Sequence, residues 1–136
     1  GYRFIIPENM LGNLLRPIIN LHISYLPYNK GAHPNFWAHY ENTQSGVSIH
    51  EIDKGIDTGE IIYRRKVNLD DSLTLKKSYG ILIENIEQLF KENIQEIEEF
   101  SYKTTSNEEL GTFHCSKDLP SWAHWDLTIK EVKDHE

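Results

Sequence analysis

Two strand-like runs joined by one short loop constrain this chain more than any other feature. Gly46 to Ile52 alternates with period two, which places Val47, Ile49 and Glu51 on one side. Glu60 to Val67 is rich in β-branched and aromatic residues and reads as a second strand. The connection, from Asp53 to Gly59, is turn-rich and short, so the two strands pair most easily as an antiparallel hairpin. A hairpin with an apolar face needs a cover. Leu75, Tyr79, Leu82, Ile83, Ile86, Leu89, Phe90 and Ile94 recur at threes and fours after it. They predict an amphipathic helix on the sheet, capped by Asp71 or Ser72 and running to about Phe100 in one or two segments. Glu96 to Glu99 reads as its solvated face.

Upstream, Ile18 to Leu21 reads as a buried strand that Pro27 stops, since proline cannot donate to a ladder. Asn20 and His22 lie two residues apart and in an extended chain point to the same side. An amide N–H can stabilise a developing oxyanion, and an imidazole can move a proton near neutral pH. The same pair also serves as a cap, a turn or a hydrogen-bonded loop histidine. Asp57 has two readings as well. It is an ordinary turn former, or a carboxylate that folds back to hold and orient His22.

Arg3 to Ile6 is a short apolar run that suggests a strand. Pro7 and Glu8 suit the first turn of a short helix bearing Met10, Leu11, Leu14 and Leu15. Strand, helix and strand in that order suggest a parallel βαβ unit, whose ligands collect beyond the strands' carboxyl ends. Pro34 opens a helix over Asn35 to Glu41, with Phe36, Trp37 and Tyr40 as its apolar face. Gly111 to His114 reads as a short strand and Ser116 to Pro120 as a turn. Trp122, Trp125, Leu127 and Ile129 are expected to pack back onto the body, because large aromatics seldom stay exposed without a partner. The opening residues read like the end of a strand, so the chain is expected to be a piece of a longer protein.

The 136 residues suffice for one domain with a core. A formal charge of −7 argues against a nucleic-acid footprint, and no apolar run is long enough to span a bilayer. The single Cys115 excludes an internal disulfide and points to a reducing, cytoplasmic setting. The spacing of histidines and acids offers no metal-ligand set.

Three separated blocks together resemble the 10-formyltetrahydrofolate-dependent formyltransferases. They are Asn20-Leu21-His22-Ile23-Ser24-Tyr25-Leu26-Pro27 with Lys30-Gly31, then Gly46-Val47-Ser48-Ile49-His50, then Asp57-Thr58-Gly59-Glu60-Ile61-Ile62. Ser48 stands where the family commonly has threonine. That family includes the methionyl-tRNA, glycinamide ribonucleotide and sugar N-formyltransferases, and the likeness covers roughly residues 1 to 95. It implies an α/β fold: the C-terminal part of a Rossmann-like formyltransferase domain, with a mixed sheet, an antiparallel hairpin and a long C-terminal helix. Residues 1–100 would form the catalytic domain, incomplete at its N-terminus, and 101–136 an extension packed on it.

The resemblance further implies transfer of a formyl group from 10-formyltetrahydrofolate to an amine. It makes Asn20 the oxyanion donor, His22 the polarising and proton-handling group, and Asp57 the residue that tunes His22 and helps remove the proton. Ser24, Tyr25, Leu26, Pro27, Ile52, Gly55 and Ile56 fall in segments that line the folate, through backbone groups and apolar contact. His50 matches a position near the site, in a supporting role. His33, His39 and His114 read as surface or packing residues. Lys30 is placed to meet an anionic acceptor, although an exposed lysine is usually only solvated.

The acceptor expected from this likeness is a small amine, a nucleotide-linked amino sugar. Purine-pathway formyl transfer, methionyl-tRNA formylation and formylfolate hydrolysis are the alternatives within the family. A non-catalytic folate- or sugar-binding fragment is the alternative outside it. The acidic tail, with no arginine after Arg65, disfavours tRNA. Neither nucleic acid nor membrane is an expected partner, and the reading leaves room for a homodimer.

Overall fold

A computed structural model describes residues 5–107 and 110–136. The elements follow in chain order as α1 (Glu8–Leu11), β1 (Ile19–His22), β2 (Lys30–Gly31), α2 (Pro34–Tyr40), β3 (Gly46–Glu51), β4 (Ile61–Lys66), α3 (Leu75–Glu92), α4 (Ile94–Glu99), β5 (Phe113–His114), a 3-10 turn (Ser116–Asp118) and α5 (Ile129–Lys133).

The hairpin forms as its alternation requires. β3 pairs antiparallel with β4, and β1 pairs antiparallel with the other edge of β3, giving the order β1-β3-β4. β3 is therefore central and buried on both faces. Val47 and Ile49 point to one face, where Leu82, Ile86 and Leu89 of α3 close a core with Ile62 and Val67. Ser48 and His50 point to the other face and are equally buried. Between Ile49 and His50 the β3–β4 register shifts: Ile49 faces Tyr63 and His50 faces Ile61. This bulge re-aims the strand just where His50 sits.

A second, separate sheet joins β2 and β5 in parallel. Gly31 is required there. Its φ is +88°, and a Cβ would strike the His114 carbonyl. The tail also pairs with the body. Thr105 and Ile61 exchange both backbone hydrogen bonds, at 2.7 and 2.9 Å. Lys76 N–H donates to the Trp125 carbonyl, and Leu75 N–H to that of Leu127. A second apolar cluster of Phe36, Trp37, Leu75 and Val132 seats α5 against α2 and α3, with Trp122 and Leu127 packed beside it.

Several sequence expectations need correction. The strand expected over Arg3 to Ile6 can be followed only at Ile5 and Ile6. Arg3 and Phe4 lie outside the described residues, while Ile5 is 64% exposed and neither it nor Ile6 is in a strand. Among the described residues β1 has no parallel neighbour, so the βαβ unit is not formed there. Thr74, not Asp71 or Ser72, caps α3 and accepts from Lys77 N–H. Asp70 binds the backbone N–H and hydroxyl of Ser72, which makes a turn before the helix begins. Trp125 does not pack away with its neighbours but stays 46% exposed. No helix among the described residues is long and apolar enough to cross a membrane.

Candidate active site

The buried polar face of β3 is where the sequence-selected side chains meet. Pairing aligns Asn20 with His50 and His22 with Ser48, so all four share that face. Asp57 reaches them from the β3–β4 loop. Its φ is +55°, a left-handed conformation that aspartate tolerates better than most residues. Its Oδ2 accepts from Gly31 N–H at 2.8 Å and lies 3.7 Å from His22 Nδ1. Its Oδ1 accepts from Asn20 Nδ2 at 3.3 Å and lies 3.2 Å from His50 Nε2. Asn20, His22 and Asp57 are thus brought together, with His50 as a fourth member.

The two ring nitrogens of His22 face different groups. Nε2 donates to the Asn29 carbonyl at 2.9 Å. Nδ1 then carries the lone pair in the neutral ring and points toward Asp57, beyond hydrogen-bonding range. Burial lowers the His22 pKa, against the opposing pull of Asp57 and of the Asn29 carbonyl. Burial alone would raise Asp57. The His50 hydrogen bond, His22 and the Gly31 N–H outweigh it and bring the carboxyl down to about 2. At rest the pair is therefore a neutral imidazole beside an ionised carboxylate.

His50 adds a conditional element. Its Nδ1 donates to the Glu51 carbonyl at 2.8 Å. Its Nε2 is 3.3 Å from Asn20 Nδ2 and 3.2 Å from Asp57 Oδ1. Without a proton Nε2 can accept from the amide; with one it donates to the carboxylate. It cannot do both at once.

The remaining expected residues are spread around this cluster. Ser24 is buried, donates to the Tyr28 carbonyl, and accepts at its own carbonyl from Ser48 Oγ. Leu26 is fully buried, and its N–H donates to Ser48 Oγ. Tyr25 lies beneath Arg64, whose guanidinium carbon is 4.8 Å from the ring centre. Leu26 and Tyr25 thus spend their side chains on packing. Pro27 abuts Gly111. Ile52 ties the loop base to β1, its N–H donating to the Ile18 carbonyl at 2.7 Å. Gly55 is half-buried, and Ile56 is 43% exposed immediately before Asp57. Lys30, expected to be solvated, is buried instead. His39 is a packing residue, its Nε2 3.2 Å from Asn35 Oδ1, and burial pushes it down to about 4. His114 stacks on Trp37 and pairs with Glu41 at 2.8 Å.

Three supporting residues escaped the sequence reading. Asn29 is buried with φ at +57°, and it turns its carbonyl onto His22. Thr112, far along the chain, accepts from Asn29 N–H at 2.8 Å. Asn107 donates from Nδ2 to the carbonyls of both Asp57 and Gly59, at 2.8 and 2.9 Å. The tail thereby clamps the two loops that carry the cluster. Asn29 had a local signal, an asparagine in a Pro-x-Asn-x-Gly loop. Asn107 and Thr112 had none.

The comparisons with known proteins agree in kind. A family model described as "Formyl transferase" matches residues 1–94. The methionyl-tRNA formyltransferase of Desulforamulus reducens is 31% identical over 138 aligned positions, covering 99% of this chain and 44% of that protein. The dTDP-4-amino-4,6-dideoxyglucose formyltransferase of Mycobacterium tuberculosis is 28% identical, over 86% of this chain and 50% of that protein. Among solved structures, the formyltransferase PseJ from Anoxybacillus kamchatkensis, in complex with UDP-4,6-dideoxy-4-formamido-L-AltNAc and tetrahydrofolate, is 39% identical. It superimposes with a TM-score of 0.89 over 97% of this chain and 72% of that one. The chain spans half or less of the length of these two curated relatives.

Proposed function

This chain belongs to the formyl transferase family, and from that premise we propose that it transfers a formyl group from 10-formyltetrahydrofolate to the amine of a nucleotide-linked amino sugar. The observation that carries the reading is the convergence of Asn20, His22 and the Asp57 carboxylate on the polar face of β3. The sugar-nucleotide acceptor draws on the likeness to PseJ, whose complex holds a UDP-linked formamido sugar and tetrahydrofolate.

In this reading the donor supplies the formyl carbon. The acceptor amine attacks that carbon, the bond from the carbon to the folate nitrogen breaks, and one amine proton ends on that nitrogen. The residues of the chain manage charge and proton. The 3.7 Å gap between His22 Nδ1 and Asp57 Oδ2 separates two acceptors. A donor placed between them, such as an amine N–H, is held by both. As the amine loses its proton, Nδ1 takes it, the imidazolium forms beside an anion that stabilises it, and the proton then passes from Nδ1 to the departing folate nitrogen. Asn20 donates to Asp57 at 3.3 Å, a long bond that is easily redirected to an oxyanion. The exposed apolar side chain of Ile56, with Ile52 and Gly55, would form the shelf for the flat folate ring next to Asp57.

A second reading, methionyl-tRNA formylation, has the Desulforamulus relative in its favour. The charge of −7 stands against it, because tRNA binding draws on phosphate-neutralising cations. The test is a panel assay of the full-length gene product with 10-formyltetrahydrofolate and UDP- or dTDP-linked amino sugars, glycinamide ribonucleotide, methionyl-tRNA or water alone. Products are read by mass spectrometry. A formamido sugar nucleotide is expected. Formylation of tRNA or the purine intermediate alone, or release of formate alone, overturns the acceptor assignment. No consumption of donor with any acceptor overturns the enzyme reading.

A further inference from the structure

We propose that Thr112, in the C-terminal tail, is a positioning residue for His22: acting through Asn29, it keeps the ring proton on Nε2 and leaves Nδ1 free to take another. This rests on the formyl-transfer reading above and adds to it the control of one tautomer. Thr112 lies beyond residues 1–94, the stretch that the family model matches, so the family likeness assigns it no part in the site.

The need for such control comes from Asp57. Its ionised Oδ2 stands 3.7 Å from His22 Nδ1. A charged acceptor holds a proton more strongly than a neutral carbonyl does, so Asp57 alone would draw the ring proton to Nδ1. A ring protonated there keeps its lone pair on Nε2, turned away from the gap, and accepts nothing from an amine held in it. The opposing pull is the Asn29 carbonyl, 2.9 Å from Nε2. The bond made by one ring nitrogen decides the state of the other. If that carbonyl drifts, the ring is free to tip toward Asp57 and close the gap with the wrong proton.

Asn29 is held against such drift from several sides. It is left-handed at φ +57° and only 1% exposed. Its N–H donates to Thr112 Oγ1 at 2.8 Å, and the same hydroxyl donates back to Asn29 Oδ1 at 3.2 Å. A hydroxyl supplies both roles at once and a methyl supplies neither. Asn29 Nδ2 donates to Thr43 Oγ1 at 2.9 Å, on the far side. The bracing continues along the chain. Lys30 N–H donates to the Thr112 carbonyl and Ala32 N–H to that of His114, both at 2.9 Å. Between them, Gly31 N–H holds Asp57 Oδ2 at 2.8 Å. One short stretch, 29–31, therefore fixes His22 Nε2 and Asp57 Oδ2 together, and the tail fixes that stretch.

The experiment compares the full-length protein with its Thr112→Val, Thr112→Ser and Thr43→Val variants by two readouts. Nitrogen-15 NMR of labelled histidine, with His22→Ala to assign the signal, shows which nitrogen of the neutral His22 ring bears the proton. Formyl transfer to the amine that the acceptor panel identifies gives kcat and KM. The parent should carry the proton on Nε2. Thr112→Val should move part of the population to Nδ1 and lower kcat about ten- to a hundredfold, with KM for donor and acceptor little changed. Thr112→Ser should restore both tautomer and kcat. A parent ring protonated at Nδ1, an unchanged tautomer or kcat in Thr112→Val, or no recovery in Thr112→Ser overturns the proposal. Should Thr112→Val fail to fold, Thr43→Val, which loosens Asn29 from its other side, decides it by the same criteria, and the parent's own tautomer remains a test without any variant. A tautomer that depends on Thr112 in a protein that formylates no amine keeps the positioning role and removes the transfer reading. Formyl transfer that Thr112→Val leaves untouched does the reverse.

Discussion

The two faces of β3 are both buried, yet they are held by different physics. On one, Val47 and Ile49 meet Leu82, Ile86 and Leu89, and area removed from water does the work. On the other, Ser48 and His50 meet Asn20, Ser24, Leu26 and Asp57 through hydrogen bonds, with the His22 ring edge-on to that of His50. The apolar face tolerates sliding, because dispersion and solvent exclusion have no direction. The polar face does not, because an unpartnered buried group costs about 1–3 kcal/mol. Its partners accordingly come from five separate stretches, ending with Asn107 and Thr112. One face stabilises the fold and the other spends part of that stability on geometry.

The largest effect expected to sharpen this contrast is Asp57→Asn. Formyl transfer should fall by about a hundred- to ten-thousandfold. Stability near neutral pH should fall by no more than about 2 kcal/mol, the share of the charge. Turnover within a factor of a few of the parent would break the comparison. Ile49→Ala is the opposite case. A loss of about 2–5 kcal/mol is expected in urea unfolding, with turnover per folded molecule unchanged.

Acid should act on the buried histidines first, His39 in the packing of α2 and His22 on the polar face. His39 titrates at about 4 in the fold against 6.5 in the open chain. The unfolded state therefore binds the extra proton first, and stability drops as pH falls from about 6.5 to about 4, by about 3 kcal/mol. His22, also lowered by burial, adds in the same sense. Asp57 acts in a second window. Its depressed carboxyl contributes stability above about 4 that is lost as pH falls toward 2. Denaturant midpoints measured from pH 8 to pH 3 test the first window, and a flat profile down to pH 4 would contradict it. The smallest effect is Asn107→Ala. A cost of about 1–2 kcal/mol is expected from two lost donations, with kcat lowered and the KM for donor little changed. Restored turnover in Asn107→Gln would show that the side-chain amide is what matters.

Much of this was readable in the residues. The alternation from Gly46 to Ile52, the apolar recurrence from Leu75 to Ile94 and the proline at 34 each located an element to within a few positions. The i, i+2 spacing placed Asn20 and His22 on one side of β1. The bulge at His50, the cap at Thr74 and the exposed Trp125 were not readable, since each depends on what a distant segment leaves room for.

The chain's own order of residues determined which sides are apolar and which side chains could carry chemistry, because periodicity is a local property of the backbone. Only the tertiary structure decided that Asp57 meets His22, that Asn29 fixes its tautomer, and that Asn107 and Thr112 hold both loops. All of these but the Asn29 contact need loops to close over dozens of residues, and no local spacing encodes where a closed loop will land.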